Sequence, residues 1–314
     1  MSIPIFQFPS TIVHVDDNSL TLKTVKMALG EVNHIVSIQD PQDFIKYLDN
    51  YISPLSQINF LRNIEDSEKF GLANHAPVDL EISKLSNLVN NKDKYKEISL
   101  LIIDYEMPMT NGIELCEKLK KFPAKKILLT AHADYRRANE AHNNQLIDRF
   151  VIKDEPNAMN DLIMMANQLI IEYFIEKTGA LTNHLSINTL MPFKNEAFGA
   201  LFKQIIADYK IQEYYIIDKN GSYLLITNEN HKCYLIIHTE NSLDYFIDLY
   251  NDELPLRFED QLDQIIVREK IPYFGLNKTF DDIDPNDLDK YLFTPNILLN
   301  GTTKYYWCII NSLN

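Results

Sequence analysis

The chain has 314 residues, 46% hydrophobic and 11% aromatic, which is enough for two domains with separate cores and too apolar for wholesale disorder. Its 30 Lys and Arg against 44 Asp and Glu leave a net charge of −14. The acid excess is greatest over residues 179–314, which argues against a DNA-binding module there.

Three cysteines, Cys116, Cys233 and Cys308, are widely spaced and odd in number. They indicate neither a disulfide framework nor a CxxC metal site, and fit reduced thiols of a cytoplasmic protein. The first ten residues lack a basic run and contain two prolines, so no signal peptide is expected. The most apolar stretch, 162–171, is far below the roughly 20 residues of a membrane span, so no membrane insertion is expected.

In chain order, residues 11–15 (TIVHV) read as a buried strand running into Asp16 and Asp17. Asn18 and Ser19 open a helix through about Leu29, 34–38 form a second strand, and Asp40-Pro41 opens a helix through Tyr51. From 53 to 97 the text is irregular and rich in Asn and Lys, with an amphipathic piece at 80–89. Residues 98–103 (ISLLII) are a fully apolar strand ending at Asp104, and a helix follows from 113 to 121. Strands at 126–129 and 149–152 end at Thr130 and Lys153, with a helix between them. Strands alternating with helices at this spacing predict α/β architecture, a doubly wound five-stranded parallel sheet. A long helix is expected over 156–177, ended by Thr178-Gly179, with a further helix at 194–210. The period then changes. Strands at 213–218, 222–227 and 232–239, helices near 241–251 and 257–270, and two last strands at 291–299 and 303–311 predict an α+β domain with an antiparallel sheet.

In an open parallel sheet, ligands bind at the carboxyl ends of the strands. Asp16, Asp17 and Asp104 converge there, with Thr130 and Lys153 on neighbouring strands. Three close carboxylates repel one another, and keeping them ionised calls for a cation; a hard, oxygen-preferring ion such as Mg²⁺ fits. A hydroxyl and an ammonium beside them suit phosphoryl oxygens. The constellation points to phosphoryl transfer onto a carboxylate.

The pieces Val15-Asp16-Asp17-Asn18, Asp104-Tyr105-Glu106-Met107-Pro108-Met109-Thr110-Asn111-Gly112, Leu129-Thr130-Ala131 and Phe150-Val151-Ile152-Lys153, in this order and each at a strand end, resemble the receiver domain of two-component response regulators. The resemblance covers about 10–154, without 53–97. It implies a flavodoxin-like fold with Asp104 as phosphoacceptor. Mg²⁺ would be held by Asp17, Asp104 and the backbone carbonyl of Glu106, with Asp16 acting mostly through water. Thr130 and Lys153 would hold phosphoryl oxygens, Ala131 would leave them room and donate its N–H, and Thr130 with the aromatic Phe150 would form the switch. The implied partner is a sensor histidine kinase or phosphotransfer protein, and the only implied chemistry is the receiver's own phosphorylation and dephosphorylation.

The linear division is a receiver domain at 1–154, a connector helix at 155–178 and an α+β output domain at 179–314. The gap before Asp104 exceeds the family's by about 40–45 residues, placed at 53–97 as a surface insertion or a partner-binding or dimer-stabilising element. Glu106 and His132 stand where side chains of this family affect phosphoryl hydrolysis. In the output half no helix-turn-helix, cyclase or phosphodiesterase signature occurs. The Asp218–Ser222 turn lacks the metal-binding acids of a nucleotidyltransferase, and the acidic run 281–289 reads as a solvated loop. The expected output is protein or ligand binding, with a phosphorylation-controlled enzyme or a transcriptional regulator as the alternative. Apolar residues nearly encircle the middle of the connector helix, which leads to the expectation of a homodimer through it.

Overall fold

The computed structural model describes residues 3–63, 78–131, 134–182, 195–218, 220–250, 259–275, 278, 280–301 and 303–311. In the first half the strands are β1 (Phe6–Gln7), β2 (Thr11–Val15), β3 (His34–Ile38), β4 (Leu61–Asn63), β5 (Val78–Leu80), β6 (Ile98–Asp104), β7 (Glu106–Met107), β8 (Thr110–Asn111), β9 (Lys125–Thr130) and β10 (Arg149–Ile152). The helices there are α1 (Ser19–Leu29), α2 (Pro41–Asp49), α3 (Ile82–Asn90), α4 (Gly112–Lys118), α5 (Tyr135–Asn143) and α6 (Ala158–Thr182). The second half adds α7 (Glu196–Asp208), β11 (Ile211–Ile216), β12 (Tyr223–Thr227), β13 (Lys232–Thr239), α8 (Glu240–Tyr250), α9 (Glu259–Ile266), β14 (Ile271–Pro272), β15 (Leu292–Phe293), β16 (Asn296–Asn300) and β17 (Thr303–Asn311).

Two compact units form. One comprises residues 7–59 and 90–180, the other residues 1–6, 60–89 and 181–314. This differs from the linear division. The first residues and the middle of the inserted stretch fold with the C-terminal half, where Ile3, Ile5, Phe6, Phe60, Leu85 and Leu88 are all buried.

The first unit holds the expected parallel sheet, in the order β10-β9-β6-β2-β3. Every residue of β2, β6 and β9 is buried, as a sheet covered on both faces requires. Helix starts are well capped: the Asn18 side chain accepts from the N–H groups of Leu20 and Thr21, and Asp40 accepts from that of Gln42. At the amino end of β6, buried Glu97 accepts hydrogen bonds from the Ser53 hydroxyl (2.6 Å), the Leu55 N–H (3.3 Å) and the Tyr173 hydroxyl of α6, with the Lys177 ammonium 3.3 Å away. These contacts tie α6 to the sheet.

The helix α6 does not stop at Gly179, as the sequence led one to expect, but continues to Thr182. One glycine costs a helix about 1 kcal/mol. Burial of Thr178, whose hydroxyl bonds the Phe174 carbonyl at 2.8 Å, and of Leu181 offsets that cost. Along α6, Leu162, Ala166, Leu169, Ile170, Tyr173 and Phe174 are buried; Ile163, Met165 and Ile171 are half-buried; Met164 is exposed. Most of the apolar circumference that pointed to a second subunit is therefore covered within the chain.

The second unit has a six-stranded sheet in the order β1-β11-β12-β13-β17-β16. From β11 to β16 each neighbouring pair is antiparallel. The strand expected over 291–299 is two strands. Pro295 lies between them, and proline cannot donate to a ladder, so β15 pairs with β14 while β16 pairs with β17. One face of the sheet carries Tyr305 near Phe198 of α7, with ring centroids 6.4 Å apart. The other packs Ile236, Tyr306, Cys308 and Ile310 with Leu243 of α8 and Ile265 of α9.

Candidate functional site

The register of the first sheet brings the side chains expected at the site together. Val15 lies opposite Ile103, Asp104 opposite Leu129, and Ile152 opposite Thr130. Asp16, Asp104, Thr130 and Lys153 thus emerge at one edge. Carboxylate oxygens of Asp16, Asp17 and Asp104 lie within 4.8 Å of one another. Asp16 is fully buried and Asp104 nearly so, whereas Asp17 is exposed. The Lys153 ammonium sits between the buried pair, 2.8 Å from Asp104 Oδ1 and 3.0 Å from Asp16 Oδ2. Asp16 Oδ1 also accepts from the Asn18 N–H at 2.9 Å.

Burial raises the Asp104 pKa above the usual carboxylate range; the hydrogen bond and charge of Lys153 oppose this and the charge of Asp16 adds to it. A poorly solvated carboxylate of raised basicity is a stronger nucleophile. For Lys153, burial works against the charged form, but bonds to Asp104 and Asp16 outweigh it and the net shift is upward, so the ammonium is retained.

The run after Asp104 folds back as the hairpin β7–β8, with Glu106 opposite Asn111 and Met107 opposite Thr110. Exposed Met109 holds φ at +68° in its turn. Gly112 has a steric role: a Cβ there would lie 2.3 Å from the Asp104 carbonyl oxygen and 2.7 Å from Leu128 Cδ1. Its N–H donates to the Tyr105 carbonyl at 2.8 Å, which fixes the loop beside the carboxylate. Asp17, Asp104, Glu106, Ala131 and Lys153 line one open, polar cleft, with Arg137 at its side donating to the Tyr105 hydroxyl at 2.8 Å.

Besides the buried Asp16, two further expected residues do not line that cleft. Thr130 is buried, and its hydroxyl donates to the Ala131 carbonyl at 3.2 Å. Phe150 is half-buried on β10, with its ring edge-on to Tyr135 (5.5 Å) and His142 (6.4 Å). His132 lies outside the described residues.

His14 escaped the sequence reading. It is buried one turn of the pleat before Asp16, neither ring nitrogen has a partner, and Nε2 is 3.9 Å from Asp16 Oδ2. Burial, aided by the Lys153 charge, pushes its pKa down to about 3, so the ring is neutral and Lys153 is the cation that balances Asp16. The donor set of three carboxylates, all oxygen, suits a hard divalent cation. The gap between Asp16 and Asp104 already accommodates one positive charge.

Over 99% of this chain and 90% of that chain, the structure matches the response regulator LqsR of Legionella pneumophila, with a TM-score of 0.79 and 24% sequence identity. Shorter likenesses include a response regulator receiver domain protein from Clostridium thermocellum (18% identity, TM-score 0.33, 51% of this chain and 94% of that chain). Another is the receiver domain of a Francisella response regulator (16%, 0.33, 51% and 96%). No protein-family model and no curated protein matches the chain. Both units therefore share the fold of a known response regulator, and among the described residues no helix is long and apolar enough to cross a membrane.

Proposed function

We propose that this chain, a response regulator by fold, is a phosphorylated one: Asp104 takes a phosphoryl group from a phosphohistidine of a sensor kinase or phosphotransfer protein in the cytoplasm. The observation that carries the reading is the Lys153 ammonium 2.8 Å from Asp104 inside a cluster of three carboxylates. An Asp104 oxygen attacks phosphorus, the P–N bond to the donor imidazole breaks, and its electron pair stays on the ring nitrogen, which takes a proton. Asp17, Asp104 and the Glu106 carbonyl would hold Mg²⁺, with Asp16 acting mostly through water, and the ion would supply charge neutralisation at the phosphoryl oxygens.

Lys153 keeps its charge and pairs with one phosphoryl oxygen. The Ala131 N–H and the Thr130 hydroxyl serve the others, Thr130 giving up its bond to the Ala131 carbonyl. That movement opens the space into which Phe150 turns, biasing two packings of the β10 edge. The second unit then conveys the signal by binding a protein or small ligand.

The test is incubation with a small phosphodonor and Mg²⁺, followed by intact and tandem mass spectrometry. One phosphoryl group on Asp104 is expected, and none in Asp104→Asn. A Mg²⁺-dependent phosphoaspartate that survives in that variant would refute the assignment.

Metal binding gives a separate check. Asp17→Ala is expected to weaken Mg²⁺ by about tenfold or more, since a direct oxygen ligand is lost. The metal-free melting temperature should hold or rise, because one of three mutually repelling carboxylates is gone. A large metal-free loss of stability in calorimetry would mark Asp17 as structural instead.

A further inference from the structure

The outer strand of the second sheet, β16, is unusual for an edge. Among the described residues it pairs only with β17, so one row of its backbone N–H and C=O groups is unpaired. Soluble proteins normally guard such a row with charge, proline or a bulge within the strand. Here the strand reads Asn296-Ile297-Leu298-Leu299-Asn300, and no charged side chain occurs from Tyr291 to Thr303, in a chain of net charge −14. Ile297 and Leu299 lie on one face of the strand and are 59% and 62% exposed. Leu298, on the other face, is half-buried. The edge thus presents two large apolar side chains and a free ladder on an uncharged stretch, where a second acidic chain meets no like charge.

The order of residues says what covers it. Read backwards, the strand is Asn-Leu-Leu-Ile-Asn, nearly the same as forwards. A two-fold interface must be complementary to itself, with residue i meeting j and j meeting i. An antiparallel pair of identical strands has that symmetry. Centred on Leu298, it sets Asn296 against Asn300 and Ile297 against Leu299, each pair occurring twice.

We propose that β16 is a homodimer seam: a second copy of this chain docks its β16 antiparallel to the first, with Leu298 on the two-fold axis and Ile297 facing Leu299 of the partner subunit. The two six-stranded sheets then join into one of twelve. A five-residue strand pair buries less than the roughly 800 Å² per partner of standard interfaces, so a weak, concentration-dependent dimer is expected. The proposal does not depend on phosphorylation of Asp104.

Light scattering after gel filtration, at concentrations rising to hundreds of micromolar, tests it. The wild type should approach twice the 36.6 kDa chain mass. The pair Ile297→Lys with Leu299→Lys sets like charges directly opposite across the seam and should give a monomer throughout. The pair Ile297→Lys with Leu299→Glu sets opposite charges there and should restore the dimer, in a salt-sensitive form. Both positions are exposed, so melting temperatures should match the wild type, and this is checked for each variant. A wild type that stays monomeric, a double lysine variant that still dimerises, or a Lys–Glu variant as monomeric as the double lysine one overturns the proposal.

Discussion

Removing residues 1–6 is expected to leave the second unit unfolded or aggregating, although every element of the C-terminal half remains present. Ile3, Ile5 and Phe6 are 6%, 0% and 1% exposed. At about 1.5–3 kcal/mol for each fully buried side chain, their loss amounts to roughly 5–9 kcal/mol. Two buried donors also lose their acceptors: the Ile216 N–H bonds the Ile5 carbonyl at 2.8 Å, and the Tyr223 hydroxyl bonds the Pro4 carbonyl at 3.1 Å. Each orphaned group costs about 1–3 kcal/mol more. Domains are stable by only about 5–15 kcal/mol, so the sum is of the order of the whole margin. Far-UV circular dichroism and gel filtration of the truncated chain check this. A truncated protein that melts like the full chain would show that the first residues are an ornament of the sheet.

Lys153→Ala is expected to destabilise the first unit strongly without divalent cation and only weakly with it. Asp16 and Asp104 are buried, and Lys153 is the cation shared between them. Breaking a buried pair by deleting one partner costs about 3–5 kcal/mol. With the lysine side chain 30% exposed, the lower figure applies, about 3 kcal/mol. Mg²⁺ bound by the same carboxylates offsets most of that, since binding to the folded state alone adds stability by mass action. Denaturant titrations with and without Mg²⁺ make the comparison. Equal losses in both conditions would mean that Lys153 serves packing rather than charge balance. Asp104→Asn has the opposite sign. Its folded pKa is raised, so the ionised carboxylate costs stability as pH rises through that value. The amide removes the cost, and at neutral pH the metal-free variant should melt no lower than the wild type.

The acidic site was open to sequence reading because each of its residues directly follows an apolar β-run. A parallel sheet then has only one edge at which Asp16, Asp104, Thr130 and Lys153 can emerge. The isolation of His14 was not readable. Within TIVHV it looks like one more buried position, and a strand's periodicity carries no information on whether a ring nitrogen finds a partner. Nor was the destination of residues 1–6 and 60–89. Phe6 meets Phe60 with ring centroids 5.5 Å apart, and β1 joins β11, about two hundred residues away. Pairing over such a separation leaves no local pattern. The split at Pro295 was readable in principle, since proline inside an apparent strand argues against continuity. The helix through Gly179 was not, because burial of its flanks decides it.

The interleaving of the two units constrains how such a chain can be inherited. Following the sequence, the chain passes from one unit to the other four times, after residues 6, 59, 89 and 180. Modular regulators diversify when one crossover in the gene swaps a complete output for another. No single breakpoint does that here. A cut after residue 180 would pass on the first unit still carrying residues 1–6 and 60–89 of a second unit it no longer has, with Ile5, Phe6, Leu85 and Leu88 stripped of their core. The two units of this architecture must therefore diverge together, by point substitution, as one heritable block.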